Sequence, residues 1–167
     1  ENFENQNQKV KEKLKLFSNA EALIYCKDYL SVHNHIIEDK SFQEVKLFTW
    51  SKKTRADLLI GRITKNDNDC EIQGIFKNDF IRIHIPLTDE ASIENAIHCW
   101  AMMLYLGYEN AVIAERMKLL SPVAMRLELK EGINNCSIIN DSYNSDLGSL
   151  GIALDFLNQQ KQHPKKT

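Results

Sequence analysis

The sequence lacks the features that mark several classes of protein. None of its 167 residues lies in an apolar run approaching the roughly eighteen residues of a transmembrane helix, so we expect no membrane partner. Acidic and basic residues nearly cancel to a net charge of -2, so no overall field favours nucleic acid. No C-x-x-C pair is present, which argues against disulfide frameworks and zinc sites and predicts buried, reduced thiols at Cys26, Cys70, Cys99 and Cys136.

A phosphate-binding loop and a signal peptide are missing as well. No segment matches G-x-x-x-x-G-K-[ST], and the glycine-to-lysine stretch at 61–65 lies in a predicted strand. The chain begins Glu-Asn-Phe-Glu, without an initiator Met and without a basic segment followed by an apolar one. We therefore expect the chain to be a piece of a longer polypeptide.

The residues that are present predict a globular α/β fold. An apolar fraction of 43% and a charged fraction of 26% suit one ordinary domain or pieces of two. Apolar positions recur at helical spacing over 3–17, whereas 22–25 and 45–50 are short apolar runs typical of buried parallel strands. Residues 56–87 predict three antiparallel strands separated by polar turns, and residues 28–41 are too mixed to assign.

The helix that follows the meander has the clearest pattern in the sequence. We expect Thr88 or Asp89 to cap it and Gly107 to end it. The expected buried stripe is Ile93, Ala96, Ile97, Trp100, Ala101 and Leu104. A shorter helix is predicted over 110–120, and Pro122 ends it, which predicts a domain boundary near residues 121 and 122.

Residues 137–150 carry the first candidate site. A β-branched pair, Ile138 and Ile139, leads into a polar cluster that contains Asp141, and a helical pattern opens near Ser149. In open α/β sheets, ligands bind at such a loop between the carboxyl end of a strand and a helix. Asp141 is placed to accept hydrogen bonds from a ribose or to hold a cation. Asp, Ser and Asn are also ordinary turn and N-cap residues, and that interpretation stays open.

Two linked motifs give the chain a resemblance to a known family. The wording D-S-Y-N at 141–144 is preceded by the segment 122–128, which has the form P-x-x-x-R-x-E. Together these segments resemble the start of the C-terminal domain of the Mur ligases. Within that family they are most similar to the members that join D-alanyl-D-alanine to UDP-N-acetylmuramoyl-tripeptide, some of which are fused to an alanine racemase.

The resemblance implies both an architecture and a reaction. Residues 1–121 would be the latter part of the central ATP-binding domain, and 122–167 would begin a Rossmann-like C-terminal domain that is incomplete here. The implied enzyme is cytoplasmic and uses ATP and Mg²⁺. It transfers the γ-phosphate to a substrate carboxylate, and an amine then attacks the acyl phosphate to form an amide during peptidoglycan precursor synthesis.

The resemblance also implies roles for individual residues. Arg126 would reach the phosphates when the domains close, and Asp141 would hold the ribose. Asn95 would approach the adenine, because 91–96 resembles the family's H-N-x-x-N-A helix start, although Ser92 stands where the first Asn is expected. Lys13, in a K-x-x-x-F context, would be carbamylated and help to hold a magnesium ion. The residues alone favour a surface ion pair of Arg126 with a nearby glutamate, and a solvated lysine stays open for Lys13.

Two other functions remain open at this stage. One is another Mur-type or folylpolyglutamate-type ligase, against which the Tyr143-Asn144 wording argues. The other is a non-catalytic binding or scaffold module that has kept the fold without the phosphate loop. A phosphate loop elsewhere in the full polypeptide would favour the enzyme.

Overall fold

The computed structural model describes residues 3–122, 127–134, 136–143 and 147–160. Most of its strands lie in one five-stranded sheet with the order β1-β2-β3-β4-β5, formed by β1 (Ala22–Cys26), β2 (Lys46–Ser51), β3 (Leu58–Lys65), β4 (Cys70–Phe76) and β5 (Asp79–Ile85). Strand β1 pairs with β2, and β2 with β3, in parallel. The pairs β3–β4 and β4–β5 are antiparallel. The predicted α/β class, with parallel strands followed by an antiparallel meander, is confirmed.

Helices cover the sheet on both faces. Helix α1 (Gln6–Leu14) continues into a 3₁₀ turn, and α2 (Leu30–Glu38) occupies the region that the sequence pattern left unassigned. These two helices lie on one face over β1 and β2, around a small core. Helices α3 (Glu90–Tyr105) and α4 (Asn110–Met117) contribute to the larger core with strands from across the sheet.

The predicted core stripe of α3 is confirmed at every position. Ile93, Ala96, Ile97, Trp100, Ala101 and Leu104 are all buried. Of the two candidate caps, Asp89 caps the helix, because its carboxylate accepts a hydrogen bond from the backbone N–H of Ser92 at 2.8 Å. Gly107, just past the end, has a φ of 81°, a conformation that glycine adopts without steric cost.

The remaining elements form a smaller lobe. Strands β6 (Glu128–Glu131) and β7 (Ser137–Asn140) pair in antiparallel fashion, and α5 (Leu147–Gln159) follows. Helix α5 therefore begins two residues before the expected opening near Ser149. None of its residues is buried, and Leu150 and Leu154 of its predicted apolar stripe are exposed. The domain division near residues 121 and 122 stays a prediction, although it falls between the two sheets.

The prediction of four buried thiols has a mixed outcome. Cys26 and Cys70 are buried free thiols, as expected, but the prediction was wrong for Cys99 and Cys136, which are exposed. Cys99 lies on the outer side of α3, where helical geometry turns it away from the sheet. Within the described residues, no helix is both long and apolar enough to cross a bilayer.

Candidate functional site

One carboxylate joins the carboxyl ends of the parallel strands β1 and β2. Asp28 accepts a hydrogen bond from Ser51 Oγ at 2.5 Å and another from the backbone N–H of Lys52 at 2.8 Å. The fully buried Ser51 hydroxyl accepts hydrogen bonds from the backbone N–H groups of Lys53 at 2.9 Å and Thr54 at 2.8 Å. These bonds hold the loop after β2 in one conformation at the edge of the sheet where α/β proteins bind ligands.

The first half of α3 adds two polar contacts beside this edge. The Tyr29 hydroxyl donates to both carboxylate oxygens of Glu94, at 2.7 Å and 2.9 Å. The indole N–H of Trp50 donates to Nδ1 of His98 at 3.1 Å, and the two rings meet edge to face with centroids 5.1 Å apart. Because Nδ1 of His98 accepts this bond, the neutral imidazole carries its proton on Nε2.

The pKa values of Tyr29 and His98 are both shifted. The hydrogen bond to Glu94 raises the pKa of Tyr29 to about 12, because the bond requires the protonated phenol, and partial burial acts in the same direction. Burial lowers the pKa of His98, and the nearby Glu94 carboxylate opposes that shift more weakly. At neutral pH the Tyr29 phenol and the His98 imidazole are therefore both uncharged.

The structure places Asn95 on the first half of α3, between Glu94 and the buried Ala96. Its side chain is exposed and lies one helical turn before His98. An exposed amide at this position is accessible to a ligand, as an adenine contact requires. Its assignment to adenine stays a prediction.

The structure brings Asp141 beside the end of the 122–128 segment. Asp141 follows β7, and its Oδ1 accepts a hydrogen bond at 3.2 Å from the backbone N–H of Leu127, the residue after Arg126. Next to this bond, the side chain of Asn140 donates to Glu128 Oε2 at 3.4 Å. Arg126 itself lies outside the described residues. The two motifs thus meet at one end of the β6–β7 pair, and the roles of Asp141 and Arg126 stay predictions.

A cavity of about 220 Å³ separates the start of α3 from the small lobe. Asp89 and Ser92 line it on the α3 side, and Leu127 and Glu128 line it on the β6 side. The first turn of α3, which leads to Asn95, therefore faces the lobe that carries Asp141. Elements of both halves of the chain share this boundary, as a site assembled by domain closure requires.

Lys13 lies apart from these groups. It is exposed in the last turn of α1, whereas the neighbouring Lys15 pairs with Glu12 at 2.7 Å. No group of three His, Cys, Asp or Glu side chains in the described part of the chain could hold a metal ion. The predicted carbamate on Lys13 and its part in a magnesium site stay predictions.

Sequence reasoning missed the polar contacts at the edge of the large sheet. Tyr29 and Glu94 are separated by 65 positions, so no local spacing signals their contact. Asp28 was detectable in principle, because it is the first carboxylate after a predicted parallel strand. His98 packs edge to face against Trp50, and no local pattern marks this contact because the two residues are 48 positions apart.

Solved structures of Mur ligases have the same fold. MurF from Acinetobacter baumannii matches 95% of this chain with a TM-score of 0.78 and 16% sequence identity, over 34% of its own length. MurF from Thermotoga maritima in complex with ADP matches 95% of this chain with a TM-score of 0.72 and 13% identity, over 36% of its own length. UDP-N-acetylmuramate-alanine ligase MurC from Thermotoga maritima matches 87% with a TM-score of 0.59 and 13% identity, over 35% of its own length.

These similarities confirm the expected Mur-ligase fold. At 13% to 16% identity they show the fold alone, and the chain spans about a third of the length of the structures it matches. No protein-family model matches the sequence, and no curated protein matches it.

Proposed function

We propose that this chain is part of an ATP-dependent amide ligase of the Mur type. The observation that carries the proposal is that one structural match extends over both lobes, covering 95% of the chain. The elements therefore follow one another in the same order as in a MurF, from the sheet and its meander to α3 and then to the β6–β7–α5 lobe. The position of Asp141 beside Leu127 supports it, because the D-S-Y-N and P-x-x-x-R-x-E segments come together in space.

The substrates we propose are UDP-N-acetylmuramoyl-tripeptide and D-alanyl-D-alanine. The MurF structure covers 95% of the chain at a TM-score of 0.78, against 79% and 0.64 for UDP-N-acetylmuramoyl-L-alanyl-D-glutamate–2,6-diaminopimelate ligase. MurC covers 87% at 0.59. This order agrees with the D-S-Y-N wording at 141–144. We place the reaction in cytoplasmic peptidoglycan precursor synthesis.

The proposed chemistry is transfer of a phosphoryl group followed by amide formation. The substrate carboxylate attacks the γ-phosphorus of ATP and releases ADP, and the amine of D-alanyl-D-alanine then displaces phosphate from the acyl phosphate. Such reactions depend on positioning and on charge stabilisation around the phosphates, not on a protein nucleophile. We assign ribose binding to Asp141, adenine contact to Asn95 and phosphate binding to Arg126.

In this proposal, two parts of the site are supplied by other segments of the polypeptide. The sequence contains no phosphate loop of the G-x-x-x-x-G-K-[ST] type. The described residues also lack a cluster of three potential metal-binding side chains, so we assign no step to magnesium here. In this proposal Lys13 contributes one carbamate oxygen to a metal whose other ligands lie elsewhere in the polypeptide.

The test uses the intact polypeptide that carries this sequence. Phosphate release from ATP should require both UDP-N-acetylmuramoyl-tripeptide and D-alanyl-D-alanine, and Asp141→Ala should raise KM for ATP about tenfold through loss of hydrogen bonds to the ribose. The matched control is Asp155→Ala, which removes an exposed carboxylate from the middle of α5.

Other outcomes would redirect the assignment. Activity with L-alanine or diaminopimelate as the amine, and none with D-alanyl-D-alanine, would identify a different Mur ligase. Absence of nucleotide turnover with every amine would favour the binding module. Equal KM values for the Asp141 and Asp155 variants would contradict the ribose role.

A further inference from the structure

A second cavity lies at the opposite end of α3 and of the antiparallel meander from the small lobe. Its volume is about 810 Å³, within the range of about 300–1,000 Å³ that small-molecule sites occupy. Its walls come from β2, the loop 52–57, the turn between β4 and β5, and the last turn of α3. None of the residues assigned to nucleotide binding lines it, so this cavity is separate from the proposed ATP site.

Three aromatic rings form one wall of the cavity. Phe48 lies 6.0 Å from Phe76 and 5.9 Å from Tyr105, measured between ring centroids. Phe48 is buried, whereas Phe76 and Tyr105 are only partly buried and expose ring surface to the cavity. A planar aromatic ligand gains most from such a wall, because it can pack in offset or edge-to-face geometry.

Positive charge dominates the polar lining. Lys27, Arg55 and Lys77 line the cavity together with a single carboxylate, that of Asp57, which leaves an excess of two positive charges. One oxygen of Asp57 already accepts hydrogen bonds from the backbone N–H of Thr49 at 2.7 Å and from its hydroxyl at 2.9 Å. The C-terminal end of the α3 dipole opposes an anion here, but it carries only about half a charge. An anionic group is therefore favoured.

The turn that carries Lys77 has a backbone conformation that glycine or asparagine adopts more easily. Lys77 and Asn78 have φ values of 50° and 71°, as in a type I′ hairpin turn. A lysine in the left-handed region costs about 1–2 kcal/mol. This conformation holds the ammonium group 5.1 Å from the centroid of the Phe76 ring, at the aromatic wall. Backbone strain of this kind is often retained where a side chain must be held for binding.

We propose that this cavity binds a planar aromatic anion, with the ring against Phe76 and Tyr105 and the anionic group facing Lys77 and Arg55. Lys27 holds the loop 52–57 in place at the cavity, because its Nζ donates a hydrogen bond to the backbone carbonyl of Arg55 at 3.2 Å. Aromatic packing and charge pairing act on the same ligand only if it carries both features. The inference does not depend on the proposed ligase activity.

The test measures binding of 1-naphthyl phosphate to the intact polypeptide by isothermal titration calorimetry. The probes 1-naphthol and inorganic phosphate each retain one of its two features, and we expect each to bind at least tenfold more weakly. The double variant Arg55→Gln/Lys77→Gln should weaken binding of 1-naphthyl phosphate at least tenfold. Lys40→Gln, which removes an exposed cation outside the cavity, should leave the Kd unchanged.

Several results would overturn the proposal. They are equal affinity for 1-naphthol, equal affinity for inorganic phosphate, no effect of the double variant, or no saturation by millimolar 1-naphthyl phosphate. Amide chemical shifts of the wild-type protein locate the probe without any variant. The shifts should move at 55–57 and at Lys77 and Asn78, and changes confined to the end of β7 around Asp141 would contradict the assignment.

Discussion

The space around two glycines of the large sheet, Gly74 and Gly61, predicts that replacing each by alanine changes stability very differently. A Cβ atom added at Gly74 would lie 3.1 Å from the carbonyl oxygen of Leu59, 3.1 Å from Cδ1 of Leu58 and 3.2 Å from Cη2 of Trp100. The carbonyl belongs to the neighbouring strand, and Leu58 and Trp100 are fully buried, so none of the three can move freely. Gly74→Ala should therefore strain the centre of the core.

The magnitude follows from two opposing terms. Overpacking of a core costs about 1–3 kcal/mol, whereas replacing glycine by alanine stabilises by about 0.4–1 kcal/mol through the unfolded chain. The net loss at Gly74 is thus about 0–2.6 kcal/mol. With a urea m-value of about 2 kcal/mol per molar, the unfolding midpoint should fall by up to about 1.3 M.

Gly61 on β3 provides the matched control. A Cβ there would meet only the carbonyl oxygen of Gln73, at 3.9 Å, which is ordinary contact. Its φ is not positive, so Gly61→Ala should be neutral or slightly stabilising. Urea unfolding followed by the fluorescence of the buried Trp50 and Trp100 measures both variants. Equal midpoints for the two variants would refute the packing argument.

Two further predictions concern ionisation beside the carboxyl edge of the sheet. Glu94→Gln should lower the pKa of Tyr29 from about 12 towards 10.0, because the carboxylate that accepts the hydrogen bond from its hydroxyl is lost. A pH titration of the Tyr29 ring signals by NMR measures this pKa. An unchanged value would show that the hydrogen bond is absent in solution. Because burial lowers the pKa of His98 from 6.5, the unfolded chain binds more protons than the folded one as pH falls from 6.5 to the folded pKa. The free energy of unfolding should therefore decrease in that window, and it should decrease less in His98→Gln than in the wild type. Urea titrations at pH 7 and pH 5 measure this difference. Equal pH dependence in the wild type and the variant would rule out the buried neutral imidazole.

Local sequence patterns predicted most of the large sheet and its principal helix. Helix α3 was predictable because one face is buried along its length, and β5 because Ile81, Ile83 and Ile85 alternate with Arg82 and His84. Helix α2 was not, since Ile36 is its only buried residue and gives no stripe. A helix that rests on a small satellite core carries little periodic signal.

The candidate site was predictable only where a motif marks it. Asp141 was found from the polar cluster after a β-branched pair, and the structure places it at the end of β7. The hydrogen bond between Tyr29 and Glu94 joins the start of α2 to α3, and only the tertiary fold brings these two elements together. The same holds for the Trp50–His98 contact, across 48 positions. Hydrophobic periodicity indicates which face of a helix or strand is buried, but it does not indicate which residues of other elements that face contacts.

The short parallel pairing between β2 and β3 accounts for the second cavity. Strands β2 and β3 pair only through Trp50 with Leu58 and Ser51 with Leu59, so the first part of β2 has no partner in β3. The backbone N–H of Thr49 donates instead to the Asp57 carboxylate, which satisfies the group without closing the gap. The space that a longer β3 would fill is thus left open between Phe48 and the hairpin turn at Lys77. A binding site can therefore form here without any insertion into the fold.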